Sequence, residues 1–266
     1  MPTLPVGDPH QFRAAAESFG IDAERYDRSR PSYPAELVAR IVAASPGPDV
    51  LDVGCGTGIA ARQFQAAGCT VLGVDVDARM AELARRHGLT VEVARFETWD
   101  AAGRTFDAVV AGQTWHWIDP VAGTAKAAAV LRPGGLLCVF WNGFQLPADL
   151  GAAFAEVYRR ALPDSPLHQR MSTPSPEGYQ PLATRAADGI RDSGAFEEPD
   201  QWSFDWERTY TRDEWLDQVP TSGINTKLPP ATMQAILAGL GPAIDAVGGV
   251  FPMRYTTLAV TARSPR

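Results

Sequence analysis

Residues Val50-Leu51-Asp52-Val53-Gly54-Cys55-Gly56-Thr57-Gly58 constrain this chain more than any other stretch. An apolar run meets an acid, and three glycines follow at alternate positions. A helical pattern then runs over 59–67. The spacing predicts a strand, a tight turn and a helix N-terminus in succession. Glycine tolerates backbone angles that a Cβ forbids, and it lets a ligand approach the backbone closely. The helix start adds free N–H groups and a positive dipole end. Such a turn is built to receive a ligand.

The spacing narrows which ligand. A dinucleotide turn reads G-x-G-x-x-G, its third glycine letting helix pack on strand. Here the glycines stand at 54, 56 and 58, and Ile59 follows. A phosphate loop would need a lysine after its last glycine, and none lies near. Asp52 also sits badly beside a phosphate, since like charges repel. It suits a ligand that carries a cation.

Leu51-Asp52-Val53-Gly54-Cys55-Gly56-Thr57-Gly58 resembles motif I of the class I S-adenosylmethionine-dependent methyltransferases. S-adenosyl-L-methionine carries an ammonium and a sulfonium, so the resemblance accounts for the acid. It implies that cofactor, with S-adenosyl-L-homocysteine as product. Two other classes are weighed against it. One is a catalytically silent S-adenosylmethionine-binding module. The other is a nicotinamide-dependent oxidoreductase, which the misplaced third glycine and the absent catalytic Tyr/Lys pair disfavour.

The chain's 266 residues, 45% apolar and 21% charged, suit one large α/β domain with a substantial core. A net charge of −7 disfavours nucleic acid as a partner. Cys55, Cys69 and Cys138 form no C-x-x-C and read as reduced small hydrophobes of a cytoplasmic protein. No basic, apolar leader pattern opens the sequence. The longest apolar run, 136–141, is too short to insert across a membrane. No His/Asp/Glu cluster has metal-ligand spacing. The expected partner is a small-molecule acceptor, and nothing in the sequence speaks to oligomeric state.

Strand patterns at 50–53, 70–75, 90–94, 106–111 and 135–141 alternate with helical ones at 35–44, 59–67, 77–87 and 120–131. Such alternation predicts a parallel sheet with helices on both faces. Further strands are expected at 201–206 and 255–261, and further helices at 11–19, 150–162, 184–192, 211–218 and 231–246. The Pro-rich residues 1–10 are expected to fray. The fold class is α/β: a Rossmann-like, doubly wound sheet of seven strands, mostly parallel. The resemblance implies that the last strand is antiparallel. A single domain is expected, with an N-terminal lid at 1–34, a cofactor-binding core at 35–142, an acceptor-side insertion at 143–182, and a C-terminal part, 183–266, completing the sheet.

Ligands in such sheets bind at the carboxyl ends of the strands. That rule selects 54–58, 75–77, 95–97, 112–117 and 141–144. Asp75 ends the second strand, where a carboxylate can accept both ribose hydroxyls. Asp77 directly precedes a helix and reads as its N-cap. Val76 and Met80 are candidates for the adenine. The family's usual acid after the third strand is replaced by Arg95, which leaves the backbone of Phe96 and the carboxylate of Glu97 to meet the base. Gln113 lies where the resemblance puts a backbone carbonyl on the cofactor's ammonium. The proline-fixed segment Ala23 to Pro34 resembles the lid of small-molecule enzymes of the trans-aconitate type. In those enzymes Tyr and Arg close over the methionine end, which makes Tyr26 and Arg30 candidates.

Trp115-His116-Trp117 follows the fourth strand. His titrates near neutral pH, so His116 is the catalytic candidate, as base or as acceptor anchor, with Trp115 or Trp117 as pocket wall. The alternative is a core histidine between core tryptophans. The expected reaction is O-methylation of a hydroxyl or carboxylate. No Asn-Pro-Pro-Tyr or Asp-Pro-Pro-Tyr follows the fourth strand, which argues against methylating nucleic-acid bases.

Overall fold

A computed structural model describes residues 17–165 and 176–266. The expected fraying at 1–10 and most of the helix at 11–19 lie outside the described residues, as do residues 166–175 of the insertion. Residues Glu17–Asp22 form a 3-10 turn.

The sheet has seven strands: β1 (Asp49–Val53), β2 (Thr70–Asp75), β3 (Thr90–Val93), β4 (Phe106–Gly112), β5 (Leu131–Gln145), β6 (Asp200–Thr211) and β7 (Val250–Arg263). Their spatial order is β3-β2-β1-β4-β5-β7-β6. The first five run parallel, and β7 is antiparallel to both of its neighbours. This is the doubly wound sheet the alternation predicts. Nine described helices surround it: α1 (Ala23–Ser29), α2 (Ala35–Ala44), α3 (Ile59–Ala66), α4 (Ala78–Arg86), α5 (Pro120–Val130), α6 (Ala148–Ala161), α7 (Gln180–Ser193), α8 (Arg212–Gln218) and α9 (Pro230–Asp245).

The central strands are apolar throughout because helices cover both faces. Successive side chains alternate between those faces. Leu51, Val53, Val109, Leu137 and Val139 join one core, and Val50, Ala108, Val110, Cys138 and Phe140 join the other. Parity puts Asp52 on the Val50 face. β6, at the edge, shows one alternating buried face and one exposed one.

Three strands are longer than the sequence suggests. β5 pairs with β4 only as far as Phe140, then continues to Gln145 against β7. β6 and β7 stay paired as far as Thr211 and Val250. The three strands therefore project beyond the parallel sheet at its carboxyl end. A third core covers the projection: Leu150, Phe154 and Tyr158 of α6, Trp215 of α8, and Ile236, Leu240 and Ile244 of α9 pack on Tyr210, Phe251, Met253 and Tyr255. α8 begins with a reciprocal cap, Thr211 and Glu214 each satisfying the other's backbone N–H. We call this unit the cap. It stands beside the strand ends that carry the candidate site.

Candidate functional site

The three turn glycines adopt φ of 65°, 55° and 86° at Gly54, Gly56 and Gly58. A side chain pays for this left-handed conformation and glycine does not. Gly54 N donates to Val74 O at 2.7 Å, and Gly58 N to Cys55 O at 2.8 Å. Thr114 Oγ1 is within bonding distance of both Gly54 O (3.1 Å) and Gly112 O (3.0 Å), which clamps the ends of β1 and β4 together. A Cβ on Gly54 would overlap the Thr114 methyl. The turn lies where the chain's strand order reverses, with β2 on one side of β1 and β4 on the other. That is where open α/β sheets form their binding crevice.

Asp75 folds back over this turn. Its Oδ2 accepts the Gly56 N–H at 2.7 Å, and its Oδ1 accepts that of Asp77 at 2.8 Å. Burial raises its pKa against the pull of those bonds. Each oxygen keeps a lone pair for a further donor. Met80 reaches the same turn, its Cε standing 3.6 Å from where a Cβ on Gly56 would be. Val76 is half-buried beside it. Asp77 caps α4, accepting from Arg79 N at 2.9 Å. Cys55 is buried, and burial holds its thiol in the protonated form.

Asp52 is 1% exposed, and its Oδ2 has no hydrogen-bond partner. Burial and then the charge of Asp75 raise its pKa to about 7. An uncompensated buried carboxylate is costly unless a cation joins it. Thr57 Oγ1 is a second buried polar atom without a partner in this loop.

Past β3, Phe96 is a core residue packed near Trp115, so only its backbone faces outward chemistry. Arg95 is exposed. Glu97 accepts the Asp119 N–H at 3.1 Å. Past β4, Gln113 is a non-glycine residue at φ 58°. Such residues cost energy and cluster at functional positions. Its N–H donates to Phe140 O at 2.8 Å and its side-chain amide to Asn142 O at 3.3 Å. Asn142 donates to Ser32 O at 3.1 Å and accepts from Thr257 at 2.7 Å, joining the lid segment, β5 and β7.

The tryptophan–histidine loop departs from expectation. Trp115 is 4% exposed and belongs to the core, so it is not a pocket wall. Trp117 is half-buried and lies against the imidazole at 4.7 Å. His116 Nδ1 accepts the Trp141 indole N–H at 3.1 Å, which puts the ring's own proton on Nε2. Burial lowers the His116 pKa to about 3. A neutral ring so placed can donate from Nε2 and is a poor proton acceptor. The expectation of a general base is corrected on that ground.

The N-terminal segment bridges the two halves. On the core side Asp27 pairs with Arg62 at 2.8 Å and Glu24 with Arg86 at 3.2 Å. On the cap side Asp217 of α8 accepts from Arg25 at 2.8 Å and from Arg28 at 2.7 Å. Arg30 lies over the Tyr26 ring at 4.9 Å and reaches Ser222 at 3.4 Å. No polar contact among the described residues joins Arg30 to the glycine turn. Tyr33 packs edge-on to Phe140 at 4.7 Å, with its hydroxyl over Gly112. Tyr33, Thr114 and Asn142 were not singled out from sequence. The Tyr33-Pro34 pair was the one available signal, since proline fixes the path that brings the ring over β4.

Among the described residues no group of three or more His, Cys, Asp or Glu could hold a metal, and no helix is long and apolar enough to cross a membrane. A family model described as a methyltransferase domain matches residues 50–135. An uncharacterized methyltransferase of Mycobacterium tuberculosis is 33% identical over 162 residues, 60% of this chain; the chain spans 65% of that relative's length. A ubiquinone biosynthesis O-methyltransferase of Cereibacter sphaeroides is 30% identical over 182 residues, covering 65% of this chain and 72% of that protein. In fold, the chain resembles a protein of Anaeromyxobacter dehalogenans provisionally named a type II methyltransferase. The TM-score is 0.64 at 22% identity, over 89% of this chain and 99% of the other.

Proposed function

The chain belongs to the class I S-adenosylmethionine-dependent methyltransferases, and from that membership we propose that it methylates an oxygen of a small-molecule acceptor held beneath the N-terminal lid. The observation that carries the cofactor reading is the unpartnered, buried Oδ2 of Asp52 behind a left-handed glycine turn. It fits a ligand with an ammonium group.

Within this reading the backbone of Gly54, Cys55 and Gly56 cradles the cofactor's amino-acid part. Asp52 supplies charge for its ammonium, and the Gln113 carbonyl a further acceptor. Asp75 takes the ribose hydroxyls with the lone pairs its backbone bonds leave. Val76, Met80 and the Phe96 backbone receive the adenine, and Tyr26 closes the lid. The bound cofactor supplies a methyl group already activated on sulfur. The protein's own task is alignment and exclusion of water. His116 serves as a neutral N–H donor that orients the acceptor oxygen, with Trp117 beside it. The O-methyltransferase name of the Cereibacter relative supports oxygen as the acceptor atom. Residues 1–34 act as lid, 35–142 as cofactor core, 143–182 as acceptor-side insertion and 183–266 as the remainder of the sheet. A cytoplasmic setting fits three cysteines that form no disulfide.

Calorimetry on the purified protein tests the cofactor, and labelled methyl transfer into a fractionated metabolite extract tests the reaction. Binding of S-adenosylmethionine and a labelled small product are expected. Preferential binding of NAD, or tight cofactor binding with no labelled product, overturns the reading.

A further inference from the structure

Arg62 stands in the first turn of α3, the helix that leaves the glycine turn, and its guanidinium serves three elements at once. Nη1 donates to Thr57 O in the turn at 2.8 Å and lies 2.8 Å from Nδ1 of His87, the residue that ends α4. Nη2 donates to Asp27 of α1 at 2.8 Å. A planar fork holds such separate partners in one geometry, where a lysine offers a single point of charge. The Arg62 backbone is fixed to the turn as well, its N–H donating to Gly58 O at 2.9 Å. The ion pair is partly shielded from water, Arg62 being 33% and Asp27 15% exposed.

The next residue repeats the pattern. Gln63 accepts the Tyr33 N–H at 3.0 Å and donates to Tyr33 O at 2.8 Å, so one amide satisfies both backbone groups where the lid ends. α3 therefore grips the lid at Asp27 and again at Tyr33. The start of the lid is close to the site too. A Cβ on Gly20 would overlap the Asp77 carboxylate, so that turn rests on the start of α4, where the Asp77 N–H holds Asp75.

The glycine turn is the soft partner in this arrangement. Thr57 lies between Gly56 and Gly58, and glycine backbones change dihedrals at little steric cost. A ligand seated on the turn's N–H groups holds those peptides in one orientation and so fixes the direction of Thr57 O. That carbonyl sets Nη1 of Arg62, and the rigid fork then sets Nη2 on Asp27. Fastening the lid and ordering the turn are thus one geometric event, and a coupling of this kind acts equally in both directions.

We propose that Arg62 is a positioning residue that couples the cofactor to the lid: a cofactor on the glycine turn fixes Thr57 O, Thr57 O holds Arg62, and Arg62 fastens α1 through Asp27. The proposal rests on the methyltransferase reading.

The test is limited trypsin digestion of the full-length wild type, R62M, D27N and D217A. Each is digested without ligand and with S-adenosylhomocysteine at a level that calorimetry shows to be saturating. The readout is the ratio of the two cleavage rates after Arg25 and Arg28, which follows the open population of α1 when closing outpaces cleavage. In wild type the ligand should slow cleavage about fivefold or more, the lower end of ordinary couplings. R62M and D27N should be cleaved faster and should keep less than about twofold of that protection. D217A frees the lid from the cap and leaves Arg62 intact, so its cleavage should quicken while its protection stays within about twofold of wild type. D27N decides the matter if R62M does not fold. Wild type without protection overturns the proposal. So does full protection in D27N or R62M, which would make the pair an anchor alone, and so does equal loss in D217A, which would make protection a property of any well-fastened lid. Failure of the wild type to bind S-adenosylhomocysteine would strike the methyltransferase reading itself, before any protease is added.

Discussion

Trp141 donates its indole N–H to Nδ1 of His116 across 3.1 Å, with both rings buried near the ends of the central strands. The bond fixes the tautomer and explains why a histidine can sit in this shell uncharged.

Its first consequence is a pH dependence of known sign. The unfolded chain protonates His116 as pH falls through about 6.5, and the folded chain only near 3. Between those values the unfolded state binds more protons, so stability is lost as pH falls. The contribution is fully present above about 6.5. H116Q should remove this dependence. Urea midpoints of wild type and H116Q should draw together as pH drops from 7 to 4.5. The rate of methyl transfer should show no inflection near pH 6.5 belonging to His116; one that vanishes in H116Q would restore the general base.

Asp52 has the opposite sign. Its folded pKa of about 7 lies above the ordinary 3.8, so its stabilising effect is complete below 3.8 and lost as pH rises through 7. Ligand-free D52N should therefore melt higher than wild type at pH 8, with the gap closing toward pH 4. The same variant should bind S-adenosylmethionine roughly tenfold or more weakly. Cofactor binding to wild type at pH 7 should release protons, visible as a buffer-dependent calorimetric heat. Equal heats in buffers of different ionisation enthalpy would contradict this.

Gly54→Ala tests the turn. The added Cβ meets the Thr114 methyl at a φ of 65°. A loss on the order of 1–3 kcal/mol in urea unfolding is expected, with weaker cofactor binding. An unchanged midpoint would mean that the turn can relax.

Asp217→Ala tests the lid. The paired groups are partly exposed, so global stability should fall by no more than about 1 kcal/mol. Limited proteolysis within 17–30 should quicken. Apparent acceptor KM should rise more than kcat falls.

Local patterns carried the cofactor half of the fold. β1 to β4 and their helices are each announced by an apolar run and a glycine or acidic boundary. Asp75 reaches back 19 positions to take the Gly56 N–H, so the second strand's acid and the glycine turn meet in space. The cap was not legible as a unit. The extra lengths of β5, β6 and β7 lie where those strands pair with one another beyond the parallel sheet; β6 alternates Trp202, Phe204, Trp206 and Tyr210 with polar residues, but nothing local says how far its partner β7 follows it. His116 misled for a related reason: a side chain's pKa depends on burial and on Trp141, which is remote in sequence. Arg30 was noticed for its neighbours Tyr26 and Pro31; Tyr26 does shape its environment, and the sequence-remote Ser222, Tyr179 and Tyr255 complete it.

The lid's anchors also bear on how the molecule is made. The contacts between Arg25 or Arg28 and Asp217 join residues 192 and 189 positions apart. A ribosome emits α1 before any strand and α8 after nearly all of them. Domains made from the N-terminus fold as their parts emerge, and closing so long a loop costs entropy that only a finished partner surface repays. A segment made before every strand of the sheet is thus among the last to be fastened, because its partner α8 is made after six of the seven strands.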